Sequence, residues 1–285
     1  MKFRFMYDQR HYHRVAKMAA VLGVSRGGYY AWLNAAETTR QRTDRELVGA
    51  IRQIQENKRF RYGTPRMTDA LRRRGFRVGH NRVARLMAEN GLQARRRRKY
   101  RVTTMSKHNH RASANLLNRN FNPPAPNVAW VSDLTYVDTA EGWLYLCVIL
   151  DLYNRRVIGW SMSHRMGSDI VVQALFMALL RTGNPKGVLF HSDRGVQYAA
   201  KKFRRILNRY EFIQSMSRKG NCWDNAVVES FFSTLKSELI QGYRYPTRQE
   251  AKDEIFEYIE VFYNRERSHS YLGYDTPVFY GSHAA

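Results

Sequence analysis

Two hydrophobic periods run along the chain, and the change from one to the other divides it. Up to residue 94 apolar side chains recur at three- and four-residue steps, the spacing of helices with one buried face. Leu47, Ile51 and Ile54 predict a helix over 44–55, entered through a polar joint at 38–43. Tyr62-Gly63-Thr64-Pro65 opens a second helix at Arg66 that Gly75 stops, and Val83, Leu86 and Met87 mark a third over 81–89, ending before Gly91. Nearer the start, 15–22 and 26–34 read as short helices joined by Gly23-Val24-Ser25. Gly23 suits the end of the first and Ser25 the cap of the second. With small Ala19 four positions before Gly23, this spacing fits a helix-turn-helix and fits a plain helical hairpin equally well.

Beyond Pro126 β-branched and aromatic residues take over. The runs 128–137, 143–150 and 156–162 predict three strands, with turns at 138–142 and 151–155 short enough for hairpins. A helix over 168–180 is stopped by Gly183-Asn184-Pro185. Strand 188–191, helix 199–210, strand 212–215 and a helix over 224–240 follow. Val228, Phe231, Phe232, Leu235 and Leu239 keep one face of that last helix apolar. A further helix over 247–264, with Ile255, Ile259 and Phe262 inward, is expected to pack on the sheet. An antiparallel meander followed by alternating helix and strand makes an α/β domain, a mixed five-stranded sheet with helices on both faces, preceded by an all-α region. The expected divisions are a helical hairpin at 1–37, a helical module at 38–94, a basic linker at 95–126 ending in Pro123-Pro124-Ala125-Pro126, the sheet domain at 127–241 and a C-terminal helical extension at 242–285.

Charge changes the picture by pointing to a partner. The 48 Lys and Arg exceed the 24 Asp and Glu, and residues 1–125 hold 29 of the bases against 7 acids. Such a concentration calls for a polyanion, because each neutralised phosphate releases counterions. The run Arg95-Arg96-Arg97-Arg98-Lys99 is too charged to bury and is expected to lie along phosphates. Cys147 and Cys222 make no disulfide framework, and the longest apolar run, 143–150, is too short to cross a bilayer. A cytoplasmic protein with no membrane contact is expected. His108 and His110 have no Cys before residue 147 to complete a zinc site, so the front half is expected to be zinc-free.

The candidate chemistry is acidic. Asp133 falls in mid-strand, where an unpaired carboxylate is costly unless a metal or cation meets it. Asp193 follows the short 188–191 strand, and Glu229 sits at the edge of the apolar face of the 224–240 helix. Lys236 lies seven residues on, along the same side of the helix. Carboxylates from separate elements suit Mg²⁺, which takes oxygen ligands and keeps several waters. Asp151 is a rival, but Arg155 and Arg156 beside it make a salt bridge the simpler account. Asp224 suits the N-terminus of its helix. Asn225 can steady the site or cap the helix, and Trp223 can stack on a base or simply pack.

Asp133, Asp193 and Glu229, with thirty-five residues between the last two, resemble the DDE triad of the retroviral-integrase superfamily. His191-Ser192-Asp193-Arg194-Gly195-Val196-Gln197-Tyr198, Asn221-Cys222-Trp223-Asp224-Asn225-Ala226, Tyr263-Asn264 and Leu272-Gly273-Tyr274-Asp275-Thr276-Pro277 narrow the likeness to the second-frame catalytic protein of the insertion-sequence-three family. The likeness is close over 126–280 and looser before it. It implies a ribonuclease H-like catalytic core behind a helix-turn-helix-like DNA-binding module, and metal-dependent cleavage and strand transfer at insertion-sequence ends. Water would first free a 3′-OH, which then attacks another phosphodiester. Two Mg²⁺ ions are implied, with Mn²⁺ able to substitute; Asp133 would bridge them, with Asp193 on one and Glu229 on the other. Lys236 is expected on the phosphate of the processed end, and Arg82, Arg85, Arg95, Arg96, Arg97, Arg98 and Lys99 on DNA. The implied partners are double-stranded DNA at terminal repeats and target, further copies of the chain in a homo-oligomer, and an upstream-frame protein; nucleoid association would follow. The alternatives are a transposase-derived regulator without catalysis, against which the complete acid set with Lys236 argues, and a ribonuclease H acting on hybrids, which the basic front half disfavours.

Overall fold

The computed structural model describes residues 1–34, 36–94, 113–219, 221–240 and 242–283. The chain begins in helices. α1 (Lys2–Asp8), α2 (Val15–Leu22) and α3 (Arg26–Leu33) close around Met6, Met18, Ala19 and Tyr29. Gly23 takes the left-handed conformation (φ 61°) that ends α2, and Ser25 Oγ accepts from Gly28 N at 2.9 Å to start α3. α4 runs from Thr39 to Asn57, so the polar joint expected at 38–43 is its first turn. The reason is a reciprocal cap: Gln41 N donates to Thr38 Oγ1 at 3.2 Å while Thr38 N donates to Gln41 Oε1 at 2.8 Å. α5 (Thr64–Arg73) and α6 (His80–Glu89) turn Met67, Leu71, Val83, Leu86 and Met87 onto Leu47, Ile51 and Ile54 of α4.

The expected linker is docked where it can be described. Over 113–117 it lies along the last strand of the sheet: Leu116 N and Leu117 N donate to Ser215 Oγ at 2.9 and 3.1 Å, and Met216 N donates to Ala114 O at 3.2 Å. A strand with a neighbour on one side only leaves backbone groups open on the other, and this stretch covers them.

Along the central strand β1 (Ala129–Val137), Ala129 and Val131 face one way and Trp130 the other, all buried, so each face of the sheet gathers its own apolar layer. β1 pairs antiparallel with β2 (Leu144–Asp151), which pairs antiparallel with β3 (Val157–Ser163). On its other side β1 runs parallel to β4 (Leu189–Ser192), itself parallel to β5 (Ile213–Met216), which gives the order β3-β2-β1-β4-β5. α7 (Ser168–Thr182), α8 (Val196–Ala199) and α9 (Lys201–Arg209) cover the Trp130 face. The single helix expected over 199–210 is split because Ala200 is extended (φ −61°, ψ 137°).

α10 (Ala226–Leu235) and α11 (Arg248–Glu257) cover the Val131 face, whose core is continuous with that of α4–α6. The helix expected over 224–240 is a 3₁₀ turn at Cys222–Asn225, then α10, then a π turn at Lys236–Ile240. A second π segment, Tyr258–Glu266, continues α11, and α12 (Pro277–Ser282) packs beside it. The extension thus lies on the sheet as expected, with Ile255, Ile259 and Phe262 inside.

Candidate active site

Strand register brings the acids together. Parallel pairing sets Ser132 of β1 opposite Ser192 of β4, so Asp133, in the middle of β1, and Asp193, just past the end of β4, come side by side. α10 lies against β1, and Asn225, just before it, donates Nδ2 to Ser132 O at 3.2 Å. Glu229 follows one turn later. Burial pushes the Asp133 carboxyl well above the usual carboxylate range, the Asp193 and Glu229 charges push it further, and the Leu134 N–H and Lys236 oppose them. Glu229 is raised too, by partial desolvation and then by Asp193. The three carboxyls therefore feel one another across one space. Lys236 Nζ stands 5.3 Å from the ring centre of Tyr136; burial lowers its pKa, against the pull of Tyr136 and Asp133.

The surroundings hold the acids in place. Gly195 N donates to Asp193 Oδ1 at 2.9 Å, and a Cβ on Gly195 would sit 2.9 Å from both that oxygen and Gln197 Oε1, so a larger residue could not approach as closely. Behind Asp133, Ser132 Oγ and Tyr198 OH are hydrogen-bonded at 2.8 Å. His191 is buried between Ser215 Oγ (2.8 Å) and Ser217 Oγ (3.2 Å), and burial lowers its pKa to about 4, so it is a neutral structural residue.

Asp151 departs from expectation, and Asp224, in the first turn of Cys222–Asn225 as expected of a helix start, does more than that position asks. Among the described residues neither Arg155 nor Arg156 ion-pairs with Asp151; instead Asn127 N (2.7 Å) and Tyr153 N (2.8 Å) donate to its carboxylate. Arg155 is occupied elsewhere, donating to Phe121 O at 2.9 Å and lying 3.9 Å from the Tyr271 ring centre. Asp224 is fully buried and accepts from Arg218 N, Nε and Nη2 (2.9, 2.9 and 2.7 Å), Arg119 Nε (3.1 Å) and Asn115 Nδ2 (2.9 Å). Arg218 above all holds it far below the usual carboxylate range. It clamps the docked segment to the loop before α10, a role no helix-end argument would reach.

Arg82 and Arg85, expected on DNA, both bind Asp44 of α4, at 2.7 Å from Arg82 Nε and 2.7 Å from Arg85 Nη2. Trp223 is 69 % exposed, so packing does not account for it. Arg95, Arg96, Arg97, Arg98, Lys99, His108 and His110 lie outside the described residues. Tyr136 under Lys236 and Asn225 on Ser132 O are contacts between residues far apart in the chain, which spacing alone does not reveal.

Among the described residues no three or more acidic, His or Cys side chains stand close enough together to hold a metal ion by themselves. The donor chemistry nonetheless fits a hard divalent cation: Asp133, Asp193 and Glu229 offer oxygen alone, their mutual repulsion is of the sign such an ion relieves, and Mg²⁺ commonly leaves ligand positions to water and phosphate. No helix among the described residues is long and apolar enough to cross a membrane.

An integrase core domain model matches residues 123–222, a second integrase core domain model matches 229–284, and an HTH-like domain model matches 41–100. The chain is 47% identical over 261 residues to the insertion element IS600 uncharacterized 31 kDa protein of Shigella sonnei, covering 92% of this chain and 96% of that one. It is 40% identical over 279 residues to transposase InsF for insertion sequence IS3A of Escherichia coli strain K12, covering 96% of each. Among solved structures, the HTLV-2 integrase catalytic core domain in complex with magnesium is similar at TM-score 0.42 and 18% identity, over 54% of this chain and 95% of that one. With relatives of that identity along nearly its whole length, and integrase core models over the elements that carry Asp133, Asp193 and Glu229, the chain belongs to the transposases of the IS3 insertion-sequence family.

Proposed function

We propose that Asp133, Asp193 and Glu229 are the catalytic carboxylates of a DDE transposase that cuts and rejoins DNA at insertion-sequence ends. One observation carries the reading: the register of Ser132 with Ser192 brings Asp133 of β1 beside Asp193 after β4, and Asn225 ties the start of α10, which carries Glu229, to the same strand. Asp133, Asp193 and Glu229 would hold Mg²⁺, two ions in this reading or Mn²⁺ in their place, and the metal would activate the attacking oxygen and neutralise the leaving one.

The chain's own residues fix the geometry. Gly195 N orients the Asp193 carboxylate, and Asn225 ties the start of α10, and hence Glu229, to the strand that carries Asp133. Lys236, seated over Tyr136, takes a non-bridging oxygen of the reacting phosphate, and exposed Trp223 stacks on a base beside the cleavage point. In the first step the water oxygen bonds to phosphorus and the P–O3′ bond breaks, freeing a 3′-OH. In the second that hydroxyl bonds to another phosphorus and displaces its O3′, so one set of carboxylates serves both.

DNA is held by the helical module. Arg82 and Arg85, splayed from Asp44, form a stiff cationic edge for phosphates, and Arg95, Arg96, Arg97, Arg98 and Lys99 extend it along the backbone. The working unit is a homo-oligomer on double-stranded DNA at the terminal repeats and the target, joined by an upstream-frame product and associated with the nucleoid when bound. Its divisions in this reading are 1–37, 38–94, 95–126, 127–241 and 242–285.

Incubating the protein with an end-labelled duplex of its element terminus and Mg²⁺ tests this, with Asp193→Asn as control. Cleavage and joining should fall to background in the variant while binding of the duplex persists. Equal cutting by both proteins would overturn the assignment.

A further inference from the structure

The first helices stand apart from the HTH-like domain match, which begins at residue 41, and pack around an apolar cluster of their own. Ala19, only 3% exposed, lets α2 and α3 approach closely; Met18 and Tyr29 fill the core, and Val24, in the turn after left-handed Gly23, packs on it. α1 then fixes which face of α3 is free. Phe3 packs on Tyr29 and Trp32 (ring centres 6.3 and 6.1 Å apart) and reaches Gly28, where a Cβ would come within 3.2 Å of its ring and 2.9 Å of Ser25 Oγ. The face left outward carries Arg26, Gly27 and Tyr30.

A cleft between the start of α2 and this face is lined by Arg14, Val15, Ala16, Arg26 and Tyr30. Its charge is available. Residues 1–34 hold six Lys and Arg against Asp8 alone. Arg4 pairs with Asp8 (3.3 Å), Arg10 lies 3.7 Å from the Tyr7 ring centre and Lys2 donates to Leu22 O (2.8 Å), whereas Arg14 and Arg26 have no ion pair among the described residues.

We infer that α1–α3 is a second DNA-binding unit, distinct from the 41–100 module, in which Arg26 and Tyr30 of α3 face base edges in the major groove and Arg14 seats a flanking phosphate. The partner is duplex DNA. A helix-turn-helix places the outward residues at the start of its second helix on bases while the first helix meets the backbone. A planar guanidinium suits the paired acceptors of guanine, and Gly27 beside it lets the backbone come close. The inference does not depend on the catalytic triad, so it can fail while that assignment stands.

The test uses the full chain to select binding sequences from a random duplex pool, then measures affinity for the selected duplex and a scrambled one across salt concentrations. Arg26→Ala and Tyr30→Ala should each shrink the preference for the selected duplex roughly tenfold. Arg14→Gln should weaken both duplexes alike and flatten the log–log salt slope by about 0.9. All three side chains are exposed, so circular dichroism of each variant should match the wild type. Unchanged preference and slope in all three variants would overturn the inference. So would lost self-association with intact DNA preference, which would make this face a protein contact.

Discussion

Replacing Glu238 by Gln should loosen a joint at which three distant parts of the chain meet. The Glu238 carboxylate, in the π turn after α10, accepts from Arg267 Nε and Nη2 (2.9 and 2.8 Å), Tyr258 OH (2.8 Å) and Arg66 Nη1 of α5 (3.3 Å), and Arg61 Nε donates to its backbone carbonyl at 3.2 Å. Glu238 and Arg267 are 11% and 5% exposed. Burial alone would push the Glu238 carboxyl up; Arg267, Arg66 and Tyr258 outweigh it and leave the group below its ordinary range. Removing one member of a buried pair costs about 3–5 kcal/mol, because the other charge stays buried without its counterion. Gln keeps the volume and one acceptor oxygen, and Arg66 is 24% exposed, so the loss should lie near the lower end, about 3 kcal/mol. For a chain of this size that is a fall in Tm of roughly 6–12 °C. Thermal melts at neutral and acid pH provide the assay. A carboxyl whose folded pKa lies below its unfolded value stabilises the fold above the unfolded value, here near 4.5, and that contribution is lost as pH falls through the folded one. The gap between wild type and Glu238→Gln should therefore be full at pH 7 and close in acid. A variant melting within about 1 °C of wild type at neutral pH, or a gap that persists in acid, would refute the reasoning.

Asp133→Asn removes one charge from a crowded group whose raised pKa makes ionisation unfavourable, so the metal-free variant should melt above the metal-free wild type while losing all strand cleavage. Mg²⁺ should raise the Tm of the wild type alone, since an ion that binds only the folded state stabilises it, and equal shifts in both proteins would show that the ions settle elsewhere. Gly159→Ala should cost about 1–3 kcal/mol, because a Cβ on β3 would collide with Ala174 O and the Ala178 side chain of α7; an unchanged melting curve would mean that the sheet and α7 are not so closely packed.

Much of the architecture is legible without coordinates because side-chain periodicity is local. The β-branched and aromatic run over Ala129–Val137 and the three- and four-residue steps of Val228, Phe231, Phe232 and Leu235 locate strand and helix, and the cost of a carboxylate in mid-strand marks Asp133. The reciprocal cap of Thr38 and Gln41 was equally readable, a signal in the residues themselves that extends α4 by a turn. Tertiary structure alone decided what each charge meets. Asp151 and Arg155 lie four residues apart in the chain, yet each takes its partners elsewhere, and Asp224 clamps a segment more than a hundred residues before it. The parallel register of Ser132 with Ser192 and the meeting of Arg66, Glu238 and Arg267 are likewise pairings across long separations. Hydrophobic spacing says which way a side chain points relative to its own backbone; which partner waits there depends on how separate elements stack, and that is settled only when the whole chain folds.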